Sequence, residues 1–251
     1  MGGLAISGMV FACLFAGGLI GIWLRAALPE HHLSADSKAV IQMGMGLIAT
    51  MSALVLGLLI ASAQTTFSAQ RSEFAQLSSN IIVLDRVLAH YGPEANAARA
   101  ALRDAVQRVL QRMDPEDGSP PELMNPKTAQ AEGLYEHLQG LTPQTEAQRT
   151  LKTQALALSL ELTRARWLMF EREAQSVPFP FLVVMVCWLA MIFGSFGLYA
   201  RPNATVVAVL FVCALSVAGA IFLILEMDQP YAGWIRISPA PLRLALSQLG
   251  Q

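Results

Sequence analysis

A chain of 251 residues that is 54% hydrophobic, only 14% charged and +0.47 in mean hydropathy carries more apolar surface than a water-facing domain of its size can hide. Its formal net charge of -1 supplies no electrostatic pull toward nucleic acid, which is excluded as an expected partner. The three cysteines, Cys13, Cys187 and Cys213, each lie inside an apolar run without CxxC or His/Cys spacing, so they read as thiols in lipid or core and not as disulfides or ligands.

In chain order, four apolar stretches reach the roughly twenty residues that a hydrocarbon layer of about 30 Å demands of a helix: 4–23, 39–63, 179–199 and 204–225. The expected fold is all-α, a polytopic membrane protein with four transmembrane helices and a helical insert between the second and third. The first stretch reads as a span and not a cleaved signal, because "MGG" carries no side-chain charge and the apolar run is longer than a usual signal core. Gly2 lacks a Ser or Thr at position 6, so the myristoylation pattern fails. Residues 1–63 form the first two spans, 64–177 the insert, 178–226 the last two spans and 227–251 a tail. An even number of spans puts both termini on the side of the insert. That side carries Arg71, Arg164, Arg166, Arg172, Arg236 and Arg243 near the spans, against Arg25, Lys38 and Arg201 opposite, which favours a cytoplasmic insert and cytoplasmic termini.

The insert opens on a heptad seam of Phe67, Phe74, Leu77, Ile81, Leu84, Leu88 and Tyr91, broken only by Gln70. Traced back through Ala63, Ile60, Leu56 and Ala53 the seam keeps its phase, which predicts one rod of about fifty residues stopping at Gly92-Pro93. A second amphipathic helix over 94–113 follows, with Ala98, Leu102, Val106, Val109 and Met113 on one face. Arg99, Arg103, Arg108 and Arg112 form its solvated flank, with Asp104 placed to pair with Arg108. "DPEDGSPPELMNPK" is a surface loop; counted as a calcium loop from Asp114, Gly118 falls at the fifth position and Asn125 at the twelfth, so that reading fails. A short helix over 128–139 and a long one to about 175, capped by Thr142 with Pro143 at its first position, complete the insert. No internal repeat of solenoid length is present.

Among candidate sites, the second span is the most informative. Gln42, Gly46, Thr50 (or Ala49), Ala53, Gly57 and Gln64 make a stripe of small and polar side chains along an otherwise Leu/Ile/Met helix. Such a stripe serves close helix packing, or lines a pore when several copies surround an axis. Leu56, Leu59 and Ile60 are the constriction candidates. The loop "LPEHHLSADSK" gathers Glu30, His31, His32 and Asp36, but adjacent histidines do not share a helix face and the solvated reading is favoured. Asn203-Ala204-Thr205 matches a glycosylation sequon in a loop too short and too close to the membrane to be used. At the end of the fourth span Glu226 and Asp228 oppose the helix dipole, which predicts a cationic partner among Arg164, Arg166 and Arg172. No GxSxG, HExxH, P-loop or GxGxxG is present. The chain is therefore expected not to be an enzyme, and to hold no cofactor and no metal.

Several blocks, "LPEHHLSADSKAVIQMGMGLIATMSALVLGLLIASA", "LDRVLAHYGPEA", "ARWLMFE", "VCWLAMIFGSFGLYARPNATV" and "LILEMDQPYAGWIRIS", resemble the bestrophin-like membrane proteins of bacteria, a family classified as a domain of unknown function. The resemblance covers almost the whole chain and is weakest over 110–140. It implies similarity to bestrophins, pentameric anion channels with four spans, cytoplasmic termini and a pore lined by the second span. The second span here has no aromatic residue before Phe67, and no acidic calcium clasp has a counterpart, so anion selectivity, calcium control and pentameric number do not follow. The expectation is a homo-oligomeric inner-membrane protein whose partners are the lipid bilayer, further copies of itself and a permeating ion or small solute. The alternative is a non-conducting scaffold or sensor that recruits a partner through its cytoplasmic helices.

Overall fold

A computed structural model of the chain describes residues 2–27, 35–113, 130–173, 179–200, 202–228 and 233–250. It is all-α: α1 (Gly3–Ala27), α2 (Ala35–Tyr91), α3 (Asn96–Met113), α4 (Gln130–Gln139), α5 (Glu146–Glu173), α6 (Phe179–Tyr199), α7 (Ala204–Met227) and α8 (Ala240–Gln248), with a 3-10 turn at Pro93–Ala95 and no strand among the described residues. Contacts divide the chain into two compact units, one of residues 1–66 and 177–228 and one of 67–176 and 229–251.

The first unit holds the four helices long and apolar enough to cross a membrane, α1, the first part of α2, α6 and α7. Its core gathers Leu14 and Val10 of α1, Met185 and Phe193 of α6, and Leu210, Ala214 and Ile221 of α7. The directions follow from which residues meet. Gly17 lies against Ala190 and Gly21 against Gly194, so α1 and α6 run parallel. Gly18 lies against Leu210 and Gly3 against Glu226, so α7 runs antiparallel to α1. These are the directions that four alternating spans require of the first, third and fourth.

Glycine makes the α1–α6 approach possible. A Cβ added at Gly21 would overlap the backbone oxygen of Gly194, and one at Gly197 would overlap that of Gly18. Backbones this close leave no room for any side chain, and the reward is van der Waals contact, which must hold helices together where lipid is as apolar as leucine. Across α1 and α7 a trio of rings completes the packing: Phe11 and Phe15 stack at 5.9 Å, and Phe211 meets them edge-on at 5.3 and 5.7 Å.

The predicted rod is present as a single helix of 57 residues, at about 1.5 Å per residue roughly 85 Å long. It ends at Gly92, whose φ of 124° only glycine adopts without strain, followed by Pro93. In the second unit the heptad seam is the core: Phe74, Leu77, Ile81, Leu84, Leu88 and Tyr91 are buried, with Phe67 packed against them, and Gln70 is buried as well. Ala98, Leu102 and Val106 of α3 face the same cluster as expected, flanked by Val109 and Met113. Asn80 donates to Glu161 and Gln148 to the Tyr91 carbonyl, so α5 runs antiparallel to α2 within this unit.

One detail departs from the sequence reading and two add to it. The cap of α5 is Thr145 and not Thr142: its hydroxyl accepts from the Gln148 N–H at 3.1 Å, while the Gln148 side chain accepts from Gln144 N at 2.8 Å. Thr-Glu-Ala-Gln is a capping-box spacing, and it fixes the helix start three residues beyond the expected one. The segment after the fourth span, read as a tail, carries α8, which with its flanks places Ile237, Leu242, Ala245 and Leu249 in the core. Finally, the sequon residue Asn203 caps α7, its side chain accepting from Thr205 N at 3.4 Å.

Candidate functional site

The exposed face of α2 in the first unit is the candidate site. At about 100° per residue, Gln42, Gly46, Thr50, Ala53, Gly57 and Gln64 fall within about 80° of the helix circumference. All six are exposed in the single chain, while Ala49, the alternative to Thr50, is half-buried. The next sector carries the large apolar side chains Val40, Met43, Leu47, Leu54 and Leu58, exposed by 64–78%. The third carries Met45, Ser52, Val55, Leu56, Leu59 and Ala63, which are buried or half-buried. The helix thus has a packed side, a bulky apolar side suited to lipid and a small, polar side with neither character.

No internal packing explains that third character. A Cβ at Gly46 or Gly57 would meet nothing within 4 Å, in contrast to Gly21 and Gly197. The Thr50 hydroxyl is satisfied by its own helix, donating toward the Leu47 and Gly46 carbonyls at 2.8 and 3.2 Å. Only 6% of the membrane-crossing stretch of α2 is buried, against 28% for α1 and α7 and 39% for α6. Of the constriction candidates, Leu56 and Leu59 pack toward the core of the first unit, and only Ile60, 39% exposed, shares the side of the stripe.

The acidic pair at the end of α7 has a setting that the sequence reading did not foresee. Glu226 is 6% exposed and Asp228 half-buried. A Cβ on Gly3 would stand 3.2 Å from Glu226 Oε1, so the carboxylate is at the amino end of α1. A helix amino terminus is positive, and this places a compensating dipole where the C-terminus of α7 opposes the charge. Arg164 and Arg166 lie on α5 in the second unit, and the side chain of Arg172 is outside the described residues. Glu30, His31 and His32, and the side chain of Asp36, are outside them too, as is the loop 114–129.

In the second unit, sequence reasoning missed a buried ion pair. Asp85, 2% exposed, accepts from Arg99 through both oxygens at 2.8 and 2.9 Å and from the Gly250 N–H at 3.3 Å. Burial pushes the Asp85 carboxyl up, but the Arg99 hydrogen bond, the Gly250 N–H and the charges of Arg99 and Arg86 outweigh it and hold the group below its ordinary value. Arg99 therefore leaves the solvated flank expected of it, and Arg103 reaches the Leu249 carbonyl at 3.5 Å. Arg108 and Asp104 do form the expected exposed pair, at 3.9 Å. The signal for the buried pair was legible: Asp85 falls between Ile81 and Leu88 on the apolar face of the seam, where a carboxylate requires a cation. Among the described residues no cluster of His, Cys, Asp and Glu could hold a metal ion.

Four apolar helices, two of them parallel through glycine, and a helical second unit define a helical membrane protein whose second span is left uncovered. The Bestrophin-like domain model matches residues 12–242, nearly the whole chain, and the chain belongs to that family. Comparison with curated proteins finds no match, and comparison with solved structures finds none.

Proposed function

We propose that the chain is one subunit of a homo-oligomeric ion channel or small-solute pore, lined by the exposed stripe of α2, and that it performs no catalysis. The observation that carries this reading is the three-sided character of α2. A lipid-facing surface is expected to be bulky and apolar, yet Gln42, Gly46, Thr50, Ala53, Gly57 and Gln64 stand exposed in a row. Copies arranged about an axis would cover that row and surround a narrow polar path, narrowed at Ile60. Family membership supports it, since bestrophins, which this family resembles, are channels. The resemblance to bacterial bestrophin-like proteins points to a bacterial inner membrane, and the arginine asymmetry favours placing residues 64–177 and both termini in the cytoplasm.

Purified protein in planar bilayers is expected to conduct, and Gly57→Trp to reduce the current while leaving the amount of folded protein unchanged. An oligomer of confirmed size that carries no current under any ionic gradient overturns the proposal. The second reading, a scaffold recruiting a partner, draws on α5, where Leu160, Trp167 and Leu168 are each about half exposed on one side of the helix. It predicts a pull-down partner lost on Trp167→Glu, with no ion flux.

A further inference from the structure

Within the first unit, the span of α2 changes character at Thr50. Beyond it, Ser52 and Ala63 are buried, and Val55, Leu56 and Leu59 pack against the core. Before it, none of the described side chains of α2 is buried. Two apolar clefts flank this outer arm, one of about 560 Å³ toward α7 and one of about 390 Å³ toward α1. Every α2 residue that lines either cleft, Ile41, Gln42, Met45, Gly46 and Ala49, precedes Thr50. Met45 and Ser195 of α6 line both clefts and form the ridge between them. Nothing polar fixes that ridge. The Ser195 hydroxyl donates to the Ile192 carbonyl of its own helix at 2.8 Å, and among the described residues no hydrogen bond ties residues 39–49 to another helix.

The backbone at this change is built to bend. Thr50 donates back to the Leu47 and Gly46 carbonyls at 2.8 and 3.2 Å, a pattern that competes with the helix ladder and bends helices. Within two turns before it come Gly44 and Gly46, which leave a helix freer to deform than alanine does. An added Cβ would meet nothing within 4 Å at either position. The two point about 160° apart around the helix, so no single neighbour, from this chain or from another copy, accounts for both. Just inside the anchored half, Ser52 is 3% exposed and its hydroxyl has no hydrogen-bond partner. An orphaned buried hydroxyl is a cost of the seat that α2 takes here, and it narrows the gap to a second seat.

We propose that α2 is hinged over residues 44–50 and that its outer arm rocks about the Met45–Ser195 ridge, closing on α1 in one position and on α7 in the other. The arm carries Gln42 and Gly46. On the pore reading proposed above, on which this consequence rests, the rocking gates the outer end of the path.

Two cysteine pairs test the hinge in the full-length protein, with Cys13, Cys187 and Cys213 replaced by serine. Leu24→Cys with Ile41→Cys spans the cleft toward α1, and Gln42→Cys with Val206→Cys spans the cleft toward α7. A disulfide forms only when the two Cα atoms come within about 7 Å, so a fixed arm between two open clefts cannot close both pairs. Copper phenanthroline is added to each variant in lipid, and the bridged peptides are read by mass spectrometry. Both pairs are expected to close within one chain. Gly44→Ala with Gly46→Ala should slow both by about tenfold, the combined worth of two helical glycines. Closure of one pair only, or of neither, overturns the proposal, and so does an unchanged rate in the alanine variant. Bridges between copies in place of bridges within a chain overturn it too, since another copy then fills the clefts. In planar bilayers each bridge should change the current relative to the reduced form of the same variant, and a conducting protein indifferent to both bridges overturns the gate. A protein whose bridges form as expected but which never conducts refutes the pore reading and supports the hinge, so the two failures are told apart.

Discussion

Two sets of glycines in the first unit behave in opposite ways. Gly17, Gly18 and Gly21 of α1 meet α6 backbone to backbone, and at Gly21 a single added methyl group would collide with the chain opposite. Gly46 and Gly57 of α2 meet nothing. One set is explained by the chain itself; the other is exposed where a lone membrane helix would be expected to carry Leu or Ile. Under the proposed oligomer, it is another copy that would supply the neighbour these α2 glycines lack.

The sharpest way to break this contrast is Gly21→Leu or Gly197→Leu. Overpacking a tight site costs about 1–3 kcal/mol and more where backbone is met, and the expected outcome is loss of the folded protein, read by fluorescence-detected size exclusion in detergent. Gly57→Trp should instead leave that elution profile monodisperse and lower the conductance, and a variant that fails to fold would show that the α2 glycine is also part of the chain's own packing. An effect restricted to the second unit comes next. Asp85 titrates below its ordinary value, so its contribution to stability is complete above the unfolded-state pKa near 3.8 and disappears as pH falls through the lower folded value. Acid melting monitored below pH 4 should show that loss, and Asp85→Asn should flatten the dependence. Neither glycine set involves a titratable group, so Gly57→Trp should melt with the same pH profile as the unaltered protein. The smallest effect is expected for Gly46→Ala and Gly57→Ala. With no clash, a helical alanine gains about 0.5–1 kcal/mol over glycine, so thermal stability should rise slightly, whereas Gly21→Ala should lower it.

Much of the fold was legible, because it is written in local periodicity. The four spans, the continuous rod, the stop at Gly92-Pro93 and the apolar faces of α2 and α3 follow from hydropathy and from spacings of three and four. What was not legible is pairing. "GGLIG" at 17–21 and "GSFG" at 194–197 were as visible as the stripe of α2, but one-dimensional spacing does not say which small residues meet each other and which meet another copy. The same holds for Asp85, whose partner is on another helix, and for Glu226, whose neighbour is the start of the first span. Thr145 was missed for a different reason: Thr142-Pro143 and Thr145–Gln148 are competing start signals, and the second pair gained the hydrogen bonds, the Thr145 hydroxyl accepting from Gln148 N and the Gln148 side chain from Gln144 N. For the candidate site, the sequence supplied the residues of the stripe, and the structure added that they are uncovered and that Leu56 and Leu59 turn away from them.

The parallel embrace of α1 and α6 also sets a timetable. Gly21 emerges from the ribosome long before Gly194, and at roughly 5–20 residues per second the interval is about 10–35 s. Through that time the glycine face of α1 has none of its final partners, and the whole insert is made in between. The first span therefore has to wait for the partners of its glycine groove until the last two spans are made. Assembly of this unit ends where synthesis of the fourth span ends, when Glu226 arrives beside Gly3 and the first helix meets the carboxylate at its amino end.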